Sequence, residues 1–279
     1  YLQFCRLLDL PKLSEWLIGE SARFIEKYPD YEHIDTVLQI AGDLYREKGE
    51  DEKSTAAYLK LEYLAPNSEI IPYVRFQRAQ LFYKKLGRED DAQALFTQVA
   101  QEHPENAYAD KALFLAGEIK EKKHKDYSAA IVQYRLTVDT YPQSEKAVEA
   151  LWRIAEINVR RLKDFAVGIG TYKEIAQKYP NDPRAIKALE KASDVYKAKL
   201  KDYENAALTL MQLVEKYPND KRSPDLLYKA GDIMKNGSRN EQKAIEYYNM
   251  VIQKYPEHRR ADKARKEIEK VKEKLEKEQ

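Results

Sequence analysis

The sequence is poor in the features that indicate a disulfide-rich, membrane-spanning or nucleic-acid-binding protein. Its 279 residues include one cysteine, Cys5, which excludes an internal disulfide and a cysteine-rich metal site. No run of about 18 apolar residues occurs, so the sequence predicts no membrane-spanning helix. The 49 Lys and Arg residues nearly balance the 47 Asp and Glu residues, giving a net charge of +2. This balance is typical of a solvated surface and provides no basic field for nucleic acid.

The sequence also lacks a Gly-, Ser- or Pro-rich linker, and we therefore expect residues 1–279 to form a single domain. Charged residues make up 34% of the chain and hydrophobic residues 43%, which is polar for its length but too apolar for a disordered chain. An array of small units, each buried only against its neighbours, accounts for both values. An initiator methionine and a signal peptide are missing too, so we expect a part of a longer or processed protein.

Proline recurs at a fixed interval along the chain. The interval between successive members of the set is 38 residues, except for the first, which is 37. The set consists of Pro29, Pro66, Pro104, Pro142, Pro180, Pro218 and Pro256, and five of these follow a tyrosine. A constant period of about 20 to 50 residues is typical of stacked repeats. We predict an incomplete first repeat at 1–29, full repeats at 30–66, 67–104, 105–142, 143–180, 181–218 and 219–256, and a C-terminal capping helix at 257–279.

Each repeat has the pattern of two helices joined by a short polar turn. In residues 143–180, apolar residues lie three or four positions apart before and after the turn, which indicates one buried face on each helix. They are Ala147, Leu151, Ile154, Ala155 and Val159, then Phe165, Ile169, Tyr172 and Ile175. Proline disfavours helical backbone in the preceding residue and lacks the N–H that continues a helix, so the second helix is predicted to end at the tyrosine. The predicted N-caps of the following helices are Ser68, Ser144, Asp182 and Ser223.

Small residues recur in the middle of each first helix, where we expect a neighbouring helix to come close. Examples are Ala41-Gly42, Ala116-Gly117 and Ala230-Gly231. A large residue stands four positions before the small one, and the second helix carries an alanine, an aromatic residue and a proline. In one repeat these residues are Leu113, Gly117, Ala130, Tyr134 and Pro142.

This order of residues resembles the tetratricopeptide repeat (TPR) family. The resemblance implies an all-α fold, a right-handed α-solenoid of antiparallel helix hairpins with a period of about 38 residues. The long period and the Tyr-Pro junctions are similar to those of the bacterial cell-envelope branch typified by BamD and the TPR part of YbgF. That branch implies a location in the periplasm or at the outer-membrane periphery, with the cytoplasm as the alternative.

No arrangement of residues is typical of an active site, a cofactor site or a metal centre. The histidines lie in or beside predicted turns and are never paired four positions apart, which argues against metal ligation. They are His33, His103, His124 and His258. The glycines of Gly168 to Gly170 lie within a predicted helix and lack the strand that precedes a phosphate loop. We therefore predict that the protein is not an enzyme and has no catalytic residues, cofactor or metal.

The resemblance also implies a binding surface. In a curved stack of hairpins the first helices line a concave face, where a segment of another protein commonly binds. The repeat pattern assigns to that face Lys84, Lys85, Phe114, Arg153, Ile157, Arg160, Asp194 and Tyr228. We expect Phe114, Ile157 and Tyr228 to be exposed to water there, beside arginines, a composition typical of binding hot spots. The basic middle of the chain favours an acidic or C-terminal partner segment.

These patterns predict a scaffold for protein–protein interaction, within a bacterial envelope assembly as the branch implies. The expected partner is another protein or a peptide segment, with no nucleic acid and no membrane span, and self-association through the ends stays open. One alternative is a TPR accessory region of a larger enzyme whose catalytic domain is N-terminal to this chain. A nucleic-acid-binding repeat protein is another, since the chain has 21 tyrosines, but most of them fall on predicted buried faces.

The two ends carry separate predictions. Cys5 falls in the middle of the first helix of the incomplete repeat, and we expect a buried thiol there. Near the C-terminus, apolar residues recur at three- and four-residue spacing among charged residues, namely Ala261, Ala264, Ile268, Val271 and Leu275. This spacing predicts a helix that caps the last repeat, with a short coiled-coil seam for dimerisation as the alternative.

Overall fold

The computed structural model describes residues 11–278, and within that range it consists of helices and connecting turns, with no strand. The predicted all-α class of helix hairpins is therefore confirmed. The chain divides into two compact units, with the boundary between Lys146 and Ala147. A single solenoid over residues 1–279, and its division into numbered repeats, stays a prediction.

Consecutive helices pack against each other within each unit. The N-terminal unit contains α1 (Pro11–Lys27), α2 (Ile34–Glu47), α3 (Asp51–Leu64), α4 (Ile71–Leu81), α5 (Glu89–Glu102), α6 (Ala109–Ile119) and α7 (Tyr127–Thr140). The following helices are α8 (Glu145–Ile157), α9 (Phe165–Lys178), α10 (Pro183–Val195), α11 (Tyr203–Lys216), α12 (Ser223–Ile233), α13 (Glu241–Lys254) and α14 (Arg259–Glu278). Each hairpin pairs a first helix, such as α2, with a second helix, such as α3.

A π-helical turn joins the two helices in most of the hairpins. The turns are Phe82–Leu86, Lys120–His124, Asn158–Leu162, Tyr196–Leu200 and Met234–Ser238. Each is closed by a residue in the left-handed backbone conformation, and these residues are Gly87, Lys125, Lys163, Lys201 and Arg239. A π-helical turn holds one residue more than an α-helical turn because its hydrogen bond reaches one residue further. The hairpin of α2 and α3 has no such turn, which accounts for its period of 37 residues where the later periods are 38.

The core of a hairpin forms where the second helix places an aromatic ring over a small residue of the first. A Cβ atom added to Gly231 would lie 2.6 Å from the ring of Tyr248, and one added to Gly42 would meet the ring of Tyr58 more closely still. The helix backbones also approach each other, since the Ser54 hydroxyl donates to the Gly42 carbonyl at 2.7 Å. The close approach predicted at these small residues is thus confirmed.

Two tyrosines of the Tyr-Pro junctions link neighbouring hairpins. The Tyr217 hydroxyl donates to the Pro180 carbonyl at 3.0 Å, and the Tyr255 hydroxyl donates to the Pro218 carbonyl at 3.0 Å. The helix before the junction ends where the sequence predicts, because α11 ends at Lys216 with Tyr217 as its C-cap. The junction therefore stops one helix and fixes its distance from the preceding hairpin.

Two of the four predicted N-caps, Ser144 and Asp182, are found. Each accepts a hydrogen bond from the backbone N–H two residues further on, at 3.0 and 2.8 Å. Ser68 makes the same bond at 3.2 Å, but it lies in the turn before α4, whose N-cap is Ile70, so the prediction for Ser68 is wrong. The prediction for Ser223 is wrong. This residue is already the first of α12, and its hydroxyl donates to the Tyr217 carbonyl at 2.6 Å instead of accepting from the helix.

The apolar residues of α14 pack within the chain. Ala264 and Ile268 belong to the same buried cluster as Tyr248 and Val251 of α13. This burial favours the capping role over the coiled-coil alternative, because the apolar stripe already has a neighbour. The prediction for Cys5 lies outside the described residues.

Candidate functional site

Three of the residues predicted on the binding face are buried. Phe114 and Ile157 are each 1% exposed and Tyr228 is 9% exposed, so the prediction that they face water is wrong. The Phe114 ring lies 5.2 Å from the ring of Tyr134, and the Tyr228 ring lies 5.3 Å from that of Tyr248. These aromatic residues face the second helix of their own hairpin, where the ring contacts bury them.

The sequence contains a signal for this packing that the repeat pattern obscured. Aromatic residues occur 20 positions apart in several hairpins, one on the first helix and one on the second. The pairs in ring contact are Phe76 with Phe96, Phe114 with Tyr134, Trp152 with Tyr172, and Tyr228 with Tyr248. A fixed spacing across the hairpin turn identifies residues that meet within the hairpin, and would have excluded Phe114 and Tyr228 from an exposed face.

The basic residues of the predicted face lie either in the π-helical turns or on helix α8. Lys84, Lys85 and Arg160 are exposed and belong to the π-helical turns at the ends of their hairpins. Arg153 lies on α8, and both Arg153 and Arg160 approach Glu156, at 3.5 and 3.1 Å. The structure therefore brings these two arginines together through one carboxylate and keeps the lysines in a separate hairpin.

Asp194, the one predicted acidic residue, is also paired. It accepts a hydrogen bond from Lys229 at 2.9 Å, and the neighbouring Glu190 pairs with Arg222 at 3.1 Å. Burial raises the pKa of Glu190 above its usual value, although Arg222 opposes that shift. We name these ion-paired residues of the C-terminal unit the paired face: Arg153, Glu156, Arg160, Glu190, Asp194, Arg222 and Lys229.

The N-terminal unit buries a carboxylate in its core. Asp43 is 1% exposed, and its Oδ1 accepts hydrogen bonds from the hydroxyls of Tyr58 at 2.6 Å and Tyr73 at 2.5 Å. Burial, followed by the hydrogen bond to Asp43, raises the pKa of Tyr58 above its usual value. This cluster ties α2 to α3 and α4.

An open groove lies elsewhere in the N-terminal unit, between α1, the turn that follows it and α2. Its cavity volume is about 690 Å³. We name it the aromatic groove and define it by Trp16, Phe24, Tyr28, Tyr31, Val37 and Ile40. Trp16, Tyr28 and Tyr31 are 41%, 47% and 44% exposed, respectively. The Phe24 ring holds the floor together, with centroids 5.2 Å from Tyr28 and 5.1 Å from Tyr31.

The rim of the aromatic groove is mainly basic. Arg23, Lys27 and His33 line it together with one carboxylate, Glu20. The Lys27 ammonium lies 5.2 Å from the centroid of the Tyr28 ring, and Arg23 pairs with Glu20 at 3.0 Å in an exposed position. The groove therefore offers an apolar floor and a surplus of positive charge at its edge.

The groove residues depart from the repeat pattern, and this departure is the signal that sequence reasoning missed. Tyr31 stands where the later junctions carry polar residues, namely Ser68, Asn106, Ser144, Asp182, Asp220 and His258. Trp16 stands where the later second helices carry Lys53, Asp91, Ala129, Val167, Asn205 and Lys243. At the later junctions the polar side chain accepts a hydrogen bond from the backbone N–H two residues further on, as at Ser68 and Asn106. Exposed aromatic residues thus replace residues that would stabilise or solvate the same positions.

Metal sites and membrane spans do not occur in the part of the chain that the structure describes. Residues 11–278 contain no group of His, Cys, Asp or Glu side chains that could hold a metal ion. No helix in the same range is long and apolar enough to cross a membrane. The absence of a catalytic residue and of a cofactor stays a prediction.

Comparison with known proteins identifies the class of the repeats. The family model of the tetratricopeptide repeat matches residues 73–106, 149–182, 187–220 and 225–258. These four segments therefore match the tetratricopeptide repeat, as the sequence predicts. No curated protein sequence matches it. The narrower resemblance to the cell-envelope branch stays a prediction.

Solved structures with a similar backbone include proteins of the same class. A tetratricopeptide repeat protein from Parabacteroides merdae aligns with 92% of this chain and 98% of its own, with 14% identity and a TM-score of 0.45. YrrB, described as a TPR protein with an unusual peptide-binding site, aligns with 76% of this chain and 99% of its own, at 17% identity and a TM-score of 0.42. The Naa15/Naa10 structure with bound HypK-THB aligns with 91% of this chain and 36% of its own, at 13% identity and a TM-score of 0.50. At these identities the similarity concerns the fold alone.

Proposed function

We propose that the protein is a non-enzymatic interaction scaffold that binds a segment of a partner protein in the aromatic groove. The observation that carries this proposal is the exposure of Trp16, Tyr28 and Tyr31 around one open cavity. Tryptophan, tyrosine and arginine are the residues most enriched where alanine substitution weakens protein binding. A cavity of this size accepts a few apolar side chains of a peptide.

The chemistry of the groove defines the expected segment. Apolar or aromatic side chains would lie on the floor, against Phe24, Val37 and Ile40. Acidic residues beside them would lie near Arg23 and Lys27, because the rim carries more positive than negative charge. An extended or helical segment of mixed apolar and acidic residues satisfies both requirements.

The wider context of this function rests on resemblance. We propose a bacterial envelope assembly, in the periplasm or at the outer-membrane periphery, because the Tyr-Pro junctions resemble those of the cell-envelope branch. Partner contacts by the exposed members of the originally predicted face, such as Lys84, Lys85 and Arg160, stay predictions. So does the alternative role as an accessory region of a larger enzyme.

Peptide selection against two groove variants tests the proposal. Phage-displayed random peptides selected on the unmodified protein are expected to share apolar residues flanked by Asp or Glu. Tyr31→Ser restores the residue found at Ser68 and Ser144, and Trp16→Lys restores the residue found at Lys53, so both variants are expected to fold. Each substitution should weaken the selected peptides by about 10- to 100-fold in a fluorescence-polarisation titration.

The matched control uses another exposed tyrosine of the same unit. Tyr63 lies on α3, is 82% exposed and is not part of the groove, so Tyr63→Ser should leave peptide affinity within about twofold of the unmodified protein. Peptides that bind Tyr31→Ser and Trp16→Lys as tightly as the unmodified protein would contradict the proposal.

A further inference from the structure

Successive hairpin ends place a cation where the backbone geometry favours glycine. Gly49 and Gly87 occupy this position in the first two turns, with φ angles of 74° and 62°. The next four turns carry Lys125, Lys163, Lys201 and Arg239 at the same 38-residue spacing, with φ angles between 54° and 61°. A side chain with a Cβ atom destabilises the left-handed conformation, and such strain at a repeated position points to a role for the side chain itself.

In the C-terminal unit these residues belong to three strongly basic hairpin ends. Residues 158–163, 196–201 and 234–239 contain no Asp or Glu. We name these three segments the basic edge. Their cations are Arg160, Arg161, Lys163, Lys197, Lys199, Lys201, Lys235 and Arg239. Lys163 and Lys201 are exposed and form no ion pair with any residue in the described range. Arg239 is exposed too, and its charge, after that of Lys274, helps to lower the pKa of Glu241.

The segments of the basic edge are spatial neighbours. Arg160 of the first segment and Lys199 of the second line the same small hollow, of about 170 Å³. Gly237 of the third segment lies against the ring of Tyr203, two residues after the end of the second segment. The three hairpin ends therefore form one continuous side of the C-terminal unit.

Exposed leucines lie between the cations of this edge. Leu162 is 45% exposed and Leu200 is 44% exposed. Leu162 has Arg161 and Lys163 as chain neighbours, and Leu200 has Lys199 and Lys201. The repeated unit is therefore an apolar side chain at a turn, flanked by two positive charges.

An anionic bilayer surface matches this combination better than other polyanions do. Its headgroups neutralise the lysines and arginines, and the acyl boundary a few ångströms below accepts leucine side chains. Nucleic acid would leave the leucines without a partner, and it favours exposed aromatic rings for base stacking. The tyrosine of this edge, Tyr196, is half-buried, and its hydroxyl accepts a hydrogen bond from Lys173 at 3.2 Å.

We infer that the basic edge of the C-terminal unit docks on an anionic lipid surface, with Leu162 and Leu200 entering the headgroup region. The inference does not depend on the proposed peptide site, because the aromatic groove belongs to the N-terminal unit. The cation at the left-handed position of each turn supplies one charge per hairpin to the membrane contact.

Vesicle co-sedimentation of the full chain tests the inference. The protein is expected to sediment with phosphatidylcholine vesicles that contain phosphatidylglycerol and not with vesicles of phosphatidylcholine alone. Binding should fall as salt is added, because screening weakens the attraction between exposed charges. Absence of binding to the anionic vesicles at low salt would overturn the inference.

The decisive variant replaces the strained cations with the residue that the geometry favours. Lys163→Gly, Lys201→Gly and Arg239→Gly together restore the residue type of Gly49 and Gly87, so the turns keep their conformation. The triple variant should retain the helical circular dichroism of the unmodified protein and lose about 100-fold in vesicle affinity.

A triple variant of α14 is the matched control. Lys263→Gln, Lys266→Gln and Lys272→Gln change the net charge by the same amount on exposed residues that are not members of the basic edge. Vesicle affinity of this control should stay within about threefold of the unmodified protein. An equal loss in both triple variants would show an effect of net charge only and would overturn the docking surface.

The leucines and the competing partners complete the test. Leu162→Ser with Leu200→Ser should weaken vesicle binding about tenfold while leaving its salt dependence in place. Unchanged binding by this variant would overturn the insertion of the leucines. Polyglutamate and a single-stranded oligonucleotide serve as competitors, and tight binding of either one by the basic edge without vesicle binding would overturn the choice of a lipid surface.

Discussion

Asp43 in the N-terminal unit and Asp194 in the C-terminal unit hold the same position in their hairpins, yet Asp43 is 1% exposed and the Asp194 side chain is 49% exposed. The second helix explains the difference. In the hairpin of α2 and α3, the Tyr58 hydroxyl donates a hydrogen bond to Asp43. In the hairpin of Asp194, the position equivalent to Tyr58 is occupied by Leu210. Because leucine cannot donate a hydrogen bond, Asp194 pairs instead with Lys229 of the next hairpin.

The comparison extends to the surfaces of the two units. In the N-terminal unit, Asp43 and the hydroxyls of Tyr58 and Tyr73 form hydrogen bonds inside the core, while the aromatic side chains of the aromatic groove are exposed. On the paired face of the C-terminal unit, acidic and basic side chains lie at the surface and form ion pairs with one another. A shared hairpin geometry thus supports an exposed apolar surface in one unit and an ion-paired surface in the other.

The largest expected effect is on the buried carboxylate. Asp43→Ala removes the acceptor of the Tyr58 and Tyr73 hydroxyls in a buried site, and should lower the free energy of unfolding by about 3 kcal/mol. Asp194→Ala removes an exposed ion pair and should cost no more than about 0.5 kcal/mol. Urea unfolding of both variants, followed by circular dichroism, measures the difference. Equal losses would remove the distinction between the two positions.

Alkaline pH tests the buried tyrosines, which occur in the cores of both units. Burial raises the pKa of Tyr172 to about 12. An unfolded tyrosine titrates near pH 10, so the folded state holds its proton more tightly over this interval. The stabilisation is present below about pH 10 and is lost as the pH rises towards 12, amounting to about 2 to 3 kcal/mol.

Burial also raises the pKa of Tyr58 in the N-terminal unit and of Tyr248 in the C-terminal unit. The direction of the pH dependence should therefore be the same in both units. Urea unfolding at stepwise pH is the measurement, and Tyr172→Phe is expected to make the decline with pH shallower. An unchanged decline in that variant would assign it to other groups.

The glycines under the tyrosine rings should respond alike in both units. Gly42→Ala and Gly231→Ala place a methyl group against a buried ring, and each should lower the free energy of unfolding by about 1 to 3 kcal/mol. Gly170→Ala is the control, because nothing lies within 4 Å of its added Cβ. This helical substitution should raise stability by about 0.5 to 1 kcal/mol. Thermal unfolding compares the three, and a neutral result at Gly42 or Gly231 would contradict the packing described.

The smallest expected effect is on the free energy of unfolding, which we expect to be lower with Tyr31 in the aromatic groove than with a polar residue at that position. Tyr31→Ser introduces the polar residue that the later junctions carry. It should raise the free energy of unfolding by about 0.5 to 1 kcal/mol, because the serine can accept a backbone hydrogen bond in the turn before α2, as Ser68 does before α4. Tyr63→Ser, at an exposed position on α3, should change it by less than about 0.5 kcal/mol. Urea unfolding of both variants is the measurement. A loss of stability in Tyr31→Ser would show that the tyrosine serves the fold.

The hairpin pattern could be predicted from the sequence because its causes are local. Tyr217-Pro218 stops a helix through the missing proline N–H, and Asp182 starts one through its carboxylate, wherever the chain is placed. The 37-residue first period already contained the difference between hairpins with and without a π-helical turn. The left-handed Lys163 and Lys201 could not be predicted, since lysine has no preference for that conformation.

The residues of the candidate binding site could be predicted less well than the fold. A repeat template gives most weight to residues that conform to it, and it therefore placed Phe114 and Tyr228 on an exposed face. Their orientation is decided by contact with the rings of Tyr134 and Tyr248 on the second helix, and the template contains those rings without the aromatic partners on the first helix. Trp16 and Tyr31 were missed for the opposite reason, because a groove formed by departures from the pattern is visible only when the repeats are compared position by position.

The hydrogen bonds from Tyr217 to Pro180 and from Tyr255 to Pro218 each span 37 residues of chain. A fragment of a hairpin inserted between donor and acceptor would change the helix lengths and carry the hydroxyl away from its carbonyl. Duplication of a whole hairpin brings a new tyrosine and a new acceptor together and preserves the spacing. The gene can therefore grow or shrink in complete hairpin modules, and length becomes a property that evolution changes in discrete steps.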